Sequence, residues 1–279
     1  MKFRLYSVLF FSLFLLVSCK SKLEKLKATG DSKSIYKAAN AYFDKGKYAD
    51  AQDLYEAILN NFRGKEEAET LYFRYAYTHY YLKSFMLSNY YFKNFVATFS
   101  NSKMKEEAEF MAAYSHFKLS PTFRLEQTYT EKAIDEFQNF INTYPASARL
   151  DECNKLIDEM RKKLEVKAFD QGRLYYDMKQ YEAAIKSFEN MQREFPETND
   201  LERIRFYVIQ SKYEWALNSV LEKKEERLTT TVEDCKEFLN KFSKSKYSKE
   251  VRAIEKIVNS KIKELKHERY QIKSAGTRP

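Results

Sequence analysis

The feature that most restricts this chain is that it resembles itself. Tyr36-Lys37-Ala38-Ala39-Asn40-Ala41-Tyr42 aligns with Phe73-Arg74-Tyr75-Ala76-Tyr77-Thr78-His79 and with Phe110-Met111-Ala112-Ala113-Tyr114-Ser115-His116, so that Ala39, Ala76 and Ala113 fall at equal intervals of 37 residues. Behind the first segment, Tyr48, Ala51, Tyr55, Ile58 and Phe62 match Phe85, Ser88, Phe92, Phe95 and Phe99 behind the second. The same second half returns at Ala133, Phe137, Phe140, Tyr144 and Pro145. A full unit follows at Gly172, Tyr175, Tyr181, Ala184, Phe188, Met191, Phe195 and Pro196, and a weaker one ends at Phe242. Within each half the apolar positions recur every three or four residues, the period of a helix. One helical hairpin cannot bury its apolar face alone, whereas stacked hairpins share a continuous core. Only 5 Gly and 4 Pro occur in 279 residues, too little punctuation for an all-β or doubly wound fold.

The unit resembles the tetratricopeptide repeat, and the expected fold is an all-α, right-handed solenoid of about five helix-turn-helix repeats. Small residues such as Ala39 and Ala51 are expected where two helices touch, with Gly46 in a left-handed turn between them. The repeat implies that the first helix of each pair lines a concave wall. The side chains expected on that wall are Tyr36, Asn40 and Phe43, then Phe73, Tyr77 and Tyr80, then Phe110, Tyr114 and Phe117. Each set is spaced i, i+4, i+7, one helical face. Such a groove of rings suits an extended peptide, because flat rings give contact area at low entropic cost. The competing reading is that the rings pack on one another. The third pair carries a loop longer by eight residues, since Ala113 and Ala133 lie 20 apart where Ala39 and Ala51 lie 12 apart. Thr128 or Thr130 is expected to cap the helix that follows.

The N-terminus carries a second message. Lys2 and Arg4 precede a nearly apolar run from Leu5 to Val17, too short to span a bilayer, and Ser18-Cys19 closes it. This resembles the bacterial lipobox. The resemblance implies cleavage after residue 18, a diacylglyceryl thioether on Cys19 and N-acylation of the new terminus. The expected organisation is a signal peptide over 1–18, a lipidated linker over 19–33, three repeats over 34–145, two over 146–266 and a flexible tail over 267–279.

Catalytic chemistry finds no foothold. No nucleophile–base pairing, phosphate loop or metal-ligand spacing occurs, so neither metal nor cofactor is expected beyond the acyl groups on Cys19. His79 and His116 read as helix-packing residues, and Cys153 and Cys235 as small buried hydrophobes. From Lys241 to Pro279 twelve Lys and Arg stand against four Asp and Glu, on an amphipathic helix striped by Val251, Ile254, Ile257, Val258, Ile262 and Leu265. A solvated face, an acidic protein partner and an anionic lipid surface all fit that charge. Export makes nucleic acid an improbable ligand.

A lipobox, about five repeats and the inserted segment SPTFRLEQTYTEKAIDEFQNFINTYP together resemble the BamD family of β-barrel assembly lipoproteins. That resemblance runs from about Cys19 to Lys266. It implies a non-enzymatic protein on the periplasmic face of the outer membrane. Its expected partners are a BamA-like barrel protein, met through POTRA domains by the C-terminal repeats, and unfolded outer-membrane barrel substrates, met by the N-terminal repeats. Two alternatives are another repeat scaffold lipoprotein of the cell envelope and a glycan-binding SusD-like surface lipoprotein, though the latter type is about twice as long.

Overall fold

The computed structural model describes the backbone of residues 22–275 and the side chains of 22–268. The expected leader and the expected acylation site, Cys19, lie outside these residues. The described residues form twelve α-helices and no strand: α1 Lys22–Ala28, α2 Ser32–Asp44, α3 Tyr48–Ile58, α4 Ala68–Tyr81, α5 Phe85–Thr98, α6 Lys105–Leu119, α7 Thr128–Thr143, α8 Leu150–Asp177, α9 Tyr181–Glu194, α10 Leu201–Leu217, α11 Leu221–Lys241 and α12 Ser248–Ala275. From α2 to α7, and again from α9 to α12, each helix packs on the one before it and the one after. This is the expected all-α stack of hairpins.

Two compact units divide the chain. The first runs to Pro121 and resumes over Gln127–Ile157, and the second takes Thr122–Glu126 and everything from Asp158. The boundary therefore falls inside α8 rather than at the expected 145/146 junction. Part of the inserted loop is assigned to the second unit, where Lys167 Nζ donates to the Leu125 carbonyl at 2.5 Å. The expected linker over 19–33 already holds α1 and the start of α2, and α12 continues to Ala275, past the expected start of a tail at 267.

The small residues stand where they were expected. Ala39, Ala51, Ala76, Ala113, Ala133 and Ala184 are all fully buried. Ser88 and Thr231 occupy the same place in their own hairpins and are also fully buried. Their hydroxyls are satisfied, Ser88 by accepting from Ser115 at 2.9 Å and Thr231 by donating to the Arg227 carbonyl at 2.7 Å. Removing a hydroxyl's water without such a partner would cost a hydrogen bond.

Three hairpin turns close in the same way. Gly46 has φ +71, and Lys83 and Lys179 have φ 60 at the matching positions. In the first, the Gly46 amide donates to Phe43 O and the Lys47 amide to Tyr42 O, both at 2.9 Å, a Schellman closure. The pattern repeats after Tyr80 and after Tyr176. A left-handed conformation costs an L-residue about 1–2 kcal/mol, and glycine nothing. Lys83→Gly and Lys179→Gly should each raise stability by about 0.5–1 kcal/mol, read as a higher urea midpoint.

The links between hairpins carry a second repeated device. The amides of Ser102, Ser147, Thr198 and Ser245 donate to the carbonyls of Phe99, Tyr144, Phe195 and Phe242 at 3.0–3.1 Å. Each hydroxyl then accepts the amide two residues on, at Met104, Arg149, Asp200 and Tyr247. An aromatic residue that ends one hairpin thus sets the entry of the next. The inserted loop departs from expectation: Gln127 precedes α7 with no side-chain cap, and the Thr130 hydroxyl donates to Gln127 Oε1 at 2.7 Å instead.

The C-terminal stripe packs in part. Val251 and Val258 are fully buried, and Ile254, Ile262 and Leu265 pack against the clusters around them, while Ile257 is exposed. Cys153 and Cys235 are free and buried, and burial pushes their thiols up to about 11 and about 12.

Candidate peptide-binding face

The aromatic side chains of the first three hairpins form one connected set of rings. Tyr48 stacks on Tyr81 with centroids 4.1 Å apart, and Tyr81 meets Tyr80 edge-on at 5.6 Å. Tyr80 reaches across to Tyr114 at 6.1 Å, and Tyr114 stacks on Phe117 at 5.5 Å. Helices α3, α4 and α6 supply these rings. A branch runs from Tyr81 to Tyr77 at 5.7 Å and on to Phe73 at 5.1 Å. Offset and edge-to-face contacts of this kind each add about 0.5–1.5 kcal/mol to the area buried.

Of the nine side chains expected on the wall, eight are half-buried and one is not on the surface at all. Phe110 is 2% exposed, held between Phe137, Phe140 and the Arg149 guanidinium, which lies 4.0 Å above its ring. It is a core residue, because the i, i+4, i+7 face of α6 turns partly into the contact with α7. Tyr36 leans on Phe62 at 5.1 Å, and Asn40 accepts a hydrogen bond from the Tyr55 hydroxyl at 2.6 Å. Phe43 sits between Tyr48 and Tyr81 beneath Arg74, whose guanidinium also pairs with Asp44 at 2.8 Å. Phe73 packs on Phe92 and Phe95. The wall is therefore made of rings that support one another.

Tyr77 is tied down. Its hydroxyl donates to Glu107 Oε1 at 2.5 Å, and Glu107 Oε2 pairs with Arg149 at 2.5 Å. Burial, followed by the Glu107 carboxylate, holds the phenol well above its ordinary range. Tyr77 is thus a strut between α4 and α6.

Sequence spacing missed Tyr81 and Tyr48. Tyr81 is 43% exposed, the most open ring of the path from Tyr48 to Phe117, and it lies next to the face counted from Phe73. Its neighbours Leu82, Met86, Leu87 and Tyr90 are also exposed, which concentrates apolar surface at the tip of the second hairpin. Large contiguous apolar patches on a surface are commonly interaction sites.

The histidines pack between helices. His79 accepts contact from the Gln52 amide at 2.9 Å and stacks on Tyr91 at 4.7 Å, and burial lowers its pKa to about 4. His116 Nδ1 lies 2.9 Å from Glu136 Oε2, a carboxylate partner that one helix alone does not reveal. Among the described residues no group of three or more His, Cys, Asp or Glu is placed to hold a metal ion. No described helix is long and apolar enough to cross a membrane.

The sequence profile of the YfiO family, described as outer membrane lipoprotein, matches residues 28–228. A putative outer membrane protein assembly factor BamD from Aquifex aeolicus (strain VF5) is 26% identical over 256 residues, covering 91% of this chain and 81% of that protein. A crystal structure of nearly identical TPR-like repeats of a Podosopora anserina putative kinesin light chain overlaps 76% of this chain and 96% of that one, at 11% identity and a TM-score of 0.32. The profile spans most of the stacked hairpins, including the whole of the aromatic face, and on that match the chain belongs to the YfiO family of outer membrane lipoproteins.

Proposed function

We propose that this chain is a non-enzymatic, lipid-anchored component of the machinery that assembles β-barrel proteins in the outer membrane. In this reading Cys19 carries the acyl anchor on the periplasmic side. The first unit captures an extended, aromatic-ended segment of an unfolded barrel protein. The second unit, with its basic C-terminal helix, docks on the POTRA domains of a BamA-like barrel subunit, where complementary charge would speed and orient association.

The observation that carries the reading is the unbroken path of rings from Tyr48 through Tyr81, Tyr80 and Tyr114 to Phe117. It crosses three hairpins. A peptide in extended form places alternate side chains on one side, so that one row of them can lie along such a path. Family membership and the name of the Aquifex relative support the same assignment.

Replacing Tyr80, Tyr81 and Tyr114 together by Ala should weaken binding of a peptide with a C-terminal aromatic residue by about ten- to thirtyfold. Fluorescence anisotropy with a labelled peptide measures this, and circular dichroism should show unchanged helix content. Tyr77 is left in place, because its loss would leave Glu107 Oε1 without its donor. Equal affinity for the variant and the parent would remove the aromatic face as the binding surface.

A further inference from the structure

Helix α1 does not project into solvent as a tether. Leu23 and Leu26 pack against the core of the first hairpin, so α1 lies across α2. Between the two helices is an open cleft of about 570 Å³. Its floor includes Leu26, Ala38 and Tyr42, and its rim carries Lys22, Lys25, Lys45 and Lys47. All four lysines are exposed, and none forms an ion pair within the described residues. The nearby Lys27 differs: it is held by Glu24 at 2.8 Å and by Asp53 at 3.0 Å. Glu24 and Asp53 thus turn to Lys27, and among the described residues the four rim lysines have no carboxylate within ion-pair distance.

We propose that this cleft is the surface through which the first unit lies against anionic phospholipid headgroups. The inference rests on the acyl anchor at Cys19 proposed above. Lys22 is three residues beyond Cys19. A fully extended chain spans at most about 3.6 Å per residue, so α1 must begin within about 11 Å of an acylated Cys19 whatever path the intervening residues take. That is close to one Debye length, about 8 Å at physiological salt, the range over which a charged bilayer surface attracts lysines. The apolar floor beneath the lysines suits the glycerol and first methylenes below a phosphate. Lysines on α1 and on the tight turn that closes the first hairpin, rather than on a free linker, would fix how the hairpin faces the bilayer. An acyl chain alone fixes only its distance.

The test uses the full acylated chain in two kinds of vesicle, one of phosphatidylcholine and one in which part of the lipid is phosphatidylglycerol. The rate at which an amine reagent modifies each lysine is read by mass spectrometry. Lys22, Lys25, Lys45 and Lys47 should react about tenfold more slowly in the anionic vesicles, and about 1 M salt should abolish the difference. Lys132, exposed on α7, serves as the unaffected reference. Equal rates in both vesicles would overturn the proposal. So would equal protection by inorganic phosphate beside neutral vesicles, which would make this a site for free anions. Flotation with neutral vesicles at high salt reports the acyl anchor separately. A chain that floats but shows no protection keeps the anchor and loses the cleft, and one that shows protection without floating does the reverse.

Discussion

Truncating Phe188 to alanine is expected to lower the stability of the second unit by about 3–5 kcal/mol. The ring is fully buried and sits where three helices meet: Phe169 of α8 at 5.6 Å, Tyr207 of α10 stacked at 5.5 Å, and Gly172 on its remaining side. A Cβ at Gly172 would lie 2.7 Å from a ring carbon of Phe188, closer than van der Waals contact allows. Gly172→Ala should therefore also destabilise, by about 1–3 kcal/mol, although alanine favours a helix over glycine by about 1 kcal/mol. Both effects can be followed through Trp215, the single tryptophan, which lies in the second unit. The urea midpoint of its fluorescence should fall for each variant. In Gly172→Ala combined with Phe188→Leu the smaller side chain makes room for the methyl, and the two losses should not add. Strict additivity would mean that the glycine and the ring do not share a contact.

Glu136→Ala is expected to cost the first unit about 2–3 kcal/mol and to change how its stability depends on pH. Glu136 reaches from α7 into a polar cluster set between helices. It meets His116 at 2.9 Å, the Asn89 amide at 3.2 Å and the ammonium of Lys93, while Asn89 also donates to the Ala112 carbonyl at 2.8 Å. Burial pushes the carboxyl up, but hydrogen bonds from His116 and Lys93 outweigh it and hold the group below its ordinary value of 4.5. A folded-state pKa below the unfolded one means that the ionised form stabilises the fold. That contribution is complete above the ordinary value and is lost as pH falls from there through the lower folded value. Urea midpoints of the first unit between neutral pH and pH about 3, read by circular dichroism, should decline more steeply for the parent than for Glu136→Ala. Parallel curves would show that the cluster contributes no proton linkage.

Much of this architecture was legible because its strongest constraint is steric. Where two helices approach closely only a small residue fits, so Ala39, Ala51, Ala76 and Ala113 announce themselves by type and spacing, and each is fully buried. Gly46 announced its turn for a conformational reason, and φ +71 agrees. Lys83 and Lys179 did not, because a lysine held left-handed by its flanking hydrogen bonds carries no mark in its chemistry. The serine and threonine turns between hairpins could have been found, since an aromatic residue followed three positions later by Ser or Thr recurs at Phe99, Tyr144, Phe195 and Phe242. The aromatic wall was legible as a list of residues and not as a surface. Periodicity places Phe110 and Tyr114 on one face, but Phe137, Phe140 and Arg149 decide that the first is covered. Partners such as Glu107 for Tyr77 and Glu136 for His116 lie 30 and 20 residues away, and no local pattern reaches that far.

The fully buried small side chains at 51, 88, 133, 184 and 231 also govern how this chain can diverge. A saturation scan would read as a comb whose teeth are unevenly spaced. At each tooth alanine, serine or threonine survives according to whether a carbonyl or hydroxyl waits nearby, and anything bulkier wedges two helices apart. Between the teeth the surface is free to change, so descendants of this sequence could exchange nearly every outward residue, and with it their choice of companions, while the backbone stays where it is.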